Sequence, residues 1–317
     1  MLGNEVRYIP SIPKGAKLAL LSAILFGIST PLTKIFLANS SPFITAGLLY
    51  LSSGISIGIY RKFKKPPNFK LPLSEKVYFG SAILCGGIAA PVLLLIGLSQ
   101  LEASTASILL NLEGVFTALL AWFIFKENFD RRILIGMLSI VTGAGIVGWN
   151  GSFDFRVLPS MLLIVAACLF WALDNNLTRN VISADITWMA STKGLVAGVT
   201  NLFIATQLGD SFPKLGALLA ITLIGVFSFG VSLVLFIGAM RTVGTSRAGA
   251  YFSVAPFFGA LAAVILGDPL TAQLGIATIF MGFGIYLHIT ENHHHEHSHD
   301  GEDHAHAHFP DISHRHH

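Results

Sequence analysis

The chain has 317 residues, 53% of them hydrophobic and only 12% charged, with a formal net charge of +3 when histidine is counted neutral. A soluble domain carries about 25% charged residues, so a water-soluble fold would have nowhere to put this much apolar surface, and lipid must take the place of part of the core. The net charge is too small for a nucleic-acid binder, and no basic run flanks an aromatic platform.

A membrane helix needs about 20 mostly apolar residues. In chain order, the stretches that meet or approach this are 18–37, 42–60, 77–99, 103–125 and 133–149, then 157–178, 186–208, 215–240, 247–266 and 271–289. The first continues through Pro31 and Lys34 without a cleavage site, so it reads as a retained span rather than a signal peptide. Cys85 and Cys168 both lie inside apolar stretches, as small core residues do, and not as a disulfide or metal pair. Connections are short except 61–76 and the tail, so no soluble domain fits between spans.

Lysine and arginine set the orientation. Arg61, Lys62, Lys64, Lys65, Lys70 and Lys76 share one connection, and the same side takes Arg7, Lys14, Lys17, Lys126, Arg131, Arg132, Arg179, Arg241 and Arg247. The other side keeps Lys34, Arg156 and Lys214. Both termini are therefore expected in the cytoplasm, with the chain in the cytoplasmic (inner) membrane.

The stretch 101–132, LEASTASILLNLEGVFTALLAWFIFKENFDRR, recurs as VGTSRAGAYFSVAPFFGALAAVILGDPLTAQ at 243–273. One constant offset pairs Ser104 with Thr245, Phe116 with Phe257, Ala118 with Gly259 and Glu127 with Asp268. The first and sixth stretches also correspond, Phe26-Gly27 and Leu32-Thr33-Lys34 matching Trp171-Ala172 and Leu177-Thr178-Arg179. The expected fold is thus an all-α integral membrane protein, ten transmembrane helices as two five-helix repeats. Five is odd, so the second repeat enters the membrane inverted, which places a site near the midplane and permits alternating access. The expected domains are a cytoplasmic N-terminal segment 1–17, repeats 18–149 and 157–289, and a His-rich cytoplasmic tail 290–317. The repeats differ most at one place, where Glu113 in the first faces Val254 in the second.

An ionisable residue at membrane depth is costly and marks a candidate site. Glu113 lies near the middle of the fourth stretch, Asp174 in the sixth within Trp171-Ala172-Leu173-Asp174-Asn175-Asn176, and Lys193 in the seventh. Lys193 sits about 10 Å from the cytoplasmic end at a rise of about 1.5 Å per residue, a depth that allows it to pair with Asp174 or to reach Glu113. Two readings fit: a fixed internal pair or network that ties spans together, or a site for a polar solute or a proton. Thr117 shares a helix face with Glu113, and Trp171, Asn175 and Thr178 form a second stripe, as packing or as a binding wall. Tyr251 and Phe252 fit either core packing or a cavity wall. Lys34 and Arg179 occupy matching repeat positions, either as snorkelling side chains or as paired gates. Glu127 and Asp268 suit helix-end contacts. Gly86, Gly143, Gly194, Gly198, Gly259 and Gly284 suit close helix packing, and Pro31, Pro91 and Pro256 suit kinks.

The tail, ENHHHEHSHDGEDHAHAHFPDISHRHH, holds all the histidines but His288. Its polarity predicts disorder. Its alternation of His293, His294, His295, His297, His299, His304, His306 and His308 with acids predicts weak binding of Zn, Ni, Co or Cu. No phosphate loop, His-Glu-x-x-His, Gly-x-Ser-x-Gly or paired-cysteine motif occurs, so an ATP-driven pump or an enzyme is not expected and no cofactor is required.

Gly97-Leu98, then Ala103-Ser104-Thr105-Ala106-Ser107, then Asn111-Leu112-Glu113-Gly114-Val115-Phe116-Thr117-Ala118-Leu119-Leu120-Ala121-Trp122, closing at Glu127, resemble the EamA family of the drug/metabolite transporter superfamily. The resemblance runs from about Lys17 to Ile289. The family usually has a proline where Gly114 or Val115 stands; the second repeat keeps one as Pro256, and the family's acidic residue as Asp268. The resemblance implies a carrier in which spans one to four and six to nine surround a cavity and spans five and ten are peripheral. It also implies substrates among amino acids, other metabolites and drugs, exported or exchanged and often proton-linked.

The function expected is secondary transport of a small polar metabolite, with the lipid bilayer as partner and a homodimer allowed. The alternatives are a divalent-metal carrier fed by the tail and a metal-responsive sensor that transports nothing.

Overall fold

The computed structural model describes residues 13–64, 69–125, 131–149 and 156–289, together with the backbone of His293–His299 and Glu302–His308. In lipid a chain must satisfy its backbone polar groups internally, and the apolar stretches do so as helices. These are α1 (Lys14–Leu37), α2 (Pro42–Lys64), α3 (Leu73–Gln100), α4 (Ala103–Ile124), α5 (Arg131–Val147), α6 (Leu158–Thr178), α7 (Ile186–Gln207), α8 (Leu215–Val243), α9 (Arg247–Ile265) and α10 (Ala272–Ile289). Seven, namely α1, α2, α3, α4, α6, α8 and α9, are long and apolar enough to cross a membrane, and Ala272–Leu287 is a shorter apolar helix. The protein is a multi-pass membrane protein.

Several helices are interrupted, and side-chain chemistry explains where. In α1 the break falls at Ile28, because Pro31 lacks the N–H that the Gly27 carbonyl would accept. In α9 it falls at Ser253–Val254, where Pro256 likewise leaves the Phe252 carbonyl without a donor. Helix α4 breaks at Leu110–Asn111 with no proline nearby. There the Asn111 side-chain amide donates to the Ile108 carbonyl at 2.9 Å, and the Cys168 thiol reaches the Leu109 carbonyl at 3.6 Å. The proline that the resemblance implies here is absent, yet the helix still breaks, with the Asn111 side chain and its backbone N–H both on the Ile108 carbonyl.

Two wider turns were not visible in the sequence. Ile83–Ala89 in α3 and Gly225–Val231 in α8 are π-helical. They lie within one residue of the offset that relates α4 to α9. Pro91, just after the first, offers no N–H to the Gly86 or Gly87 carbonyls. Asn201 of α7 donates to the Gly87 carbonyl at 3.3 Å instead, and Gly86 is served by the candidate site described below.

Packing follows the small residues. A side chain at Gly54 would strike the backbone of Gly194 and Leu195, and one at Gly198 the backbone of Leu51, so α2 and α7 meet along these glycines. Gly143 and Gly284 bring α5 and α10 together in the same way, against Ala277 and Gly136. Helix α1 packs on α8, where Ser22 and Ser232 hydroxyls lie 3.0 Å apart, and α3 packs on α6. Helix α4 packs on α6 and α9, and α1 also packs on α9.

In the tail, His293–His299 pairs antiparallel with Glu302–His308, His293 opposite His308, where composition predicts no fixed structure. The ladder uses backbone groups alone, and a lone two-stranded ribbon is only marginally stable in water.

Candidate functional site

Glu113 lies in the first turn after the α4 break. Asn175 of α6 donates its amide to Glu113 Oε1 at 2.9 Å and to Thr117 Oγ1 at 3.3 Å. Asn175 itself is exposed and Glu113 is partly buried, so the cluster reaches the surface through Asn175. Asn176 anchors the two helices from behind, donating to the carbonyls of Ala172 at 2.9 Å and Thr117 at 3.3 Å.

Lys193 of α7 reaches Asp174 of α6, with Nζ 2.6 Å from Oδ1 and 2.7 Å from Oδ2. Thr178 adds a hydrogen bond to Oδ1 at 2.9 Å. Asp174 is buried at 6% exposure, and Gly86 makes this possible, because a Cβ there would collide with the carboxylate. Of the partners the sequence left open for Lys193, the structure selects Asp174. Glu113 is left with neutral partners, within the field of both charges.

Tyr50 and Trp171 complete the junction. Tyr50 Oη donates to the Gly86 carbonyl at 2.9 Å and Trp171 Nε1 to the same oxygen at 3.0 Å, the acceptor that Pro91 leaves free. From Tyr50 the rings continue: Tyr50 to Phe229 at 5.8 Å, Phe229 to Phe26 at 5.5 Å, Phe26 to Phe252 at 5.4 Å and Phe252 to Phe236 at 4.8 Å between centroids. Sequence reasoning missed Tyr50, Phe26 and Phe229. Each is an aromatic in an apolar stretch and carries no signal of its own. Phe252 joins this wall, whereas Tyr251 is 36% exposed and is not hydrogen-bonded to the polar cluster.

The gate candidates lie elsewhere. Lys34 donates to the Leu101 carbonyl at the C-terminal end of α3, where the helix dipole favours a cation. At the same end Asp268 Oδ2 accepts the backbone N–H of Ser104 at 2.8 Å and so caps α4. Glu102 stands beside it. Partial burial, with a hydrogen bond to Asp268 and that residue's charge, pushes Glu102 above the usual carboxylate range, and Lys34 partly offsets this. Arg179 is exposed and follows the last residue of α6. Glu127 and the tail histidine side chains lie outside the described residues. Among the described residues no group of three or more His, Cys, Asp or Glu could hold a metal ion, which gives the metal-carrier alternative no support.

At the opposite end Asp185 caps α7, accepting the Trp188 N–H at 3.1 Å, and pairs with Arg61 of α2 at 3.5 Å. Burial would raise its pKa, but the bonds from Thr187, Trp188 and Arg61 together hold it below the usual range.

A helical membrane protein whose polar groups converge at helix breaks is built like a carrier. The profile of the EamA-like transporter family matches residues 13–149 and again 158–290, and the chain belongs to that family. It is 29% identical to an uncharacterised transporter of Methanothermobacter thermautotrophicus, over 84% of this chain and 83% of that one. It is 25% identical to a protein of Chlamydia muridarum named as an S-adenosylmethionine/S-adenosylhomocysteine transporter, over 87% and 91%. It is 24% identical to a "Probable amino-acid metabolite efflux pump" of Salmonella typhimurium, over 87% and 95%. A solved crystal structure shares the fold, with a TM-score of 0.66 at 17% identity over 86% of this chain and 95% of that one.

Proposed function

We propose that the chain is a secondary transporter of a small polar metabolite, working by alternating access between two inverted five-helix repeats in the cytoplasmic membrane, with both termini inside. The observation that carries this reading is the Glu113–Asn175–Thr117 cluster, joined across α4 and α6 and exposed at Asn175. A carboxylate kept at membrane depth among neutral partners is a group waiting for a solute or a proton.

The pairing of helices supports the repeats. If α1–α5 correspond to α6–α10, then α2 with α7, α5 with α10 and α4 with α9 are self-matched contacts, and α1 with α8 answers α6 with α3. The breaks of α4 and α9 and the π turns of α3 and α8 fall at corresponding places, and the family profile matches twice in succession. Interrupted helices around a midplane site are the usual machinery of such carriers. The molecules named for the relatives support a metabolite as cargo. Proton coupling belongs to the proposal, with Glu113 as the group that exchanges solute for proton.

The test is solute counterflow in proteoliposomes, with labelled amino acids and S-adenosylmethionine as probes. Saturable exchange of at least one, accelerated by a pH gradient in wild type but not in Glu113→Gln, is expected. No exchange above protein-free vesicles contradicts the transporter reading, and an unaltered pH response in the variant removes the proton role.

A further inference from the structure

The charges of the central site do not balance. Lys193 spends both short contacts on Asp174, and that pair cancels. Glu113 has an amide as its partner, and among the described residues no lysine, arginine or histidine forms an ion pair with it. Whenever Glu113 is ionised, the site therefore carries one negative charge with no ion-pair partner among the described residues, and such a charge at membrane depth is expensive. An anionic solute would add a second negative charge, with the nearby lysine already taken. A neutral solute would leave the carboxylate as it is.

The rings beside it point the same way. Trp171 and Tyr50 converge on one carbonyl next to the polar cluster, and Phe229, Phe26 and Phe252 extend the surface at stacking distances. All five are only partly buried. Aromatic faces carry negative potential and attract cations, and flat apolar rings pack well against them. With no group of three or more His, Cys, Asp or Glu among the described residues, the site does not suit a bare metal ion.

From this geometry we infer that the preferred solute is an organic cation, an ammonium or other onium group attached to an aromatic ring. Glu113 takes the charge, and the ring lies along the Trp171–Tyr50–Phe229 wall. This rests on reading the Glu113 cluster as the transport site.

Three probes share one ring and differ only in charge: tryptamine is a cation, tryptophol is neutral and indole-3-acetate is an anion. Calorimetric titration of each into the purified full chain at neutral pH reads the preference. Tryptamine is expected to bind about tenfold or more tighter than either of the others, the scale of one desolvated ion pair or cation–π contact. Glu113→Gln removes the preference and Glu113→Asp retains part of it. Phe229→Ala, which leaves the charged groups in place, weakens tryptamine and tryptophol alike. Equal binding of the three probes, tighter binding of indole-3-acetate, or no saturable binding of any probe overturns the inference, as does a preference that survives in Glu113→Gln. Flux is read separately: selective binding with no counterflow would sink the transporter reading alone, and counterflow of anions undisturbed by Glu113→Gln would sink the inference alone.

Discussion

Helices α4 and α9, which the internal sequence match aligns, break within two residues of that alignment, yet they do so by different means. In α9 Pro256 withholds a backbone donor, and the residue that the sequence match sets opposite Glu113 is apolar Val254, within the break. In α4 the Asn111 side chain bonds the Ile108 carbonyl at the break, and the residue presented is Glu113. The bend is common to both halves; the charge belongs to one. On the proposed two-repeat reading the scaffold is duplicated and its chemistry is not: Glu113 stands against Val254, and Asp174 against Ser29.

The comparison can be broken by perturbing scaffold and site separately. The largest stability loss is expected for Lys193→Ala, which strands buried Asp174 without its partner, at a cost of about 3 kcal/mol. Replacing both by apolar residues of similar size costs less, as unfolding of the purified variants will read. Next comes Gly54→Ala, which drives a methyl into the Gly194 backbone where α2 meets α7, for about 2 kcal/mol. Gly145→Ala, with nothing within 4 Å of the new Cβ, should lie within about 0.5 kcal/mol of wild type. Asp268→Ala uncaps α4 and costs about 1 kcal/mol.

The smallest effects separate the two ends of the molecule by pH. Asp185, held low in the folded state, contributes stability above its ordinary pKa and loses it as pH falls through the folded value. Glu102, held high, contributes below its ordinary pKa and loses that as pH rises through the folded value. Asp185→Asn should therefore flatten the fall in stability between about pH 5 and pH 3, while Glu102→Gln should help slightly at neutral pH, each by under about 1 kcal/mol.

Much of this was legible in the sequence. Hydropathy located the helices, the internal match aligned α4 with α9, and depth counting allowed Lys193 to meet Asp174. The π turns were not legible, because an extra residue in a helix leaves hydropathy unchanged. Their consequence was hidden as well: Pro91 frees the Gly86 and Gly87 carbonyls, and Tyr50, Trp171 and Asn201 fill them from three other helices. Tyr50 could be recruited to the site only through that long-range contact. Lys34 shows the reverse case, a charge whose position suggested a gate or an interfacial anchor and whose contact is a helix-end carbonyl.

The most direct test sets the unmatched acid against a matched one. Counterflow of the best-exchanged solute is measured for Glu113→Gln and Asp268→Asn, at equal amounts of folded protein in the same vesicles. Flux should fall about thirtyfold or more in Glu113→Gln, the cost of removing one partner of a buried charge contact, and should stay close to wild type in Asp268→Asn. Equal fluxes in the two variants, or a greater loss in Asp268→Asn, would contradict the assignment of Glu113 as the centre of the site.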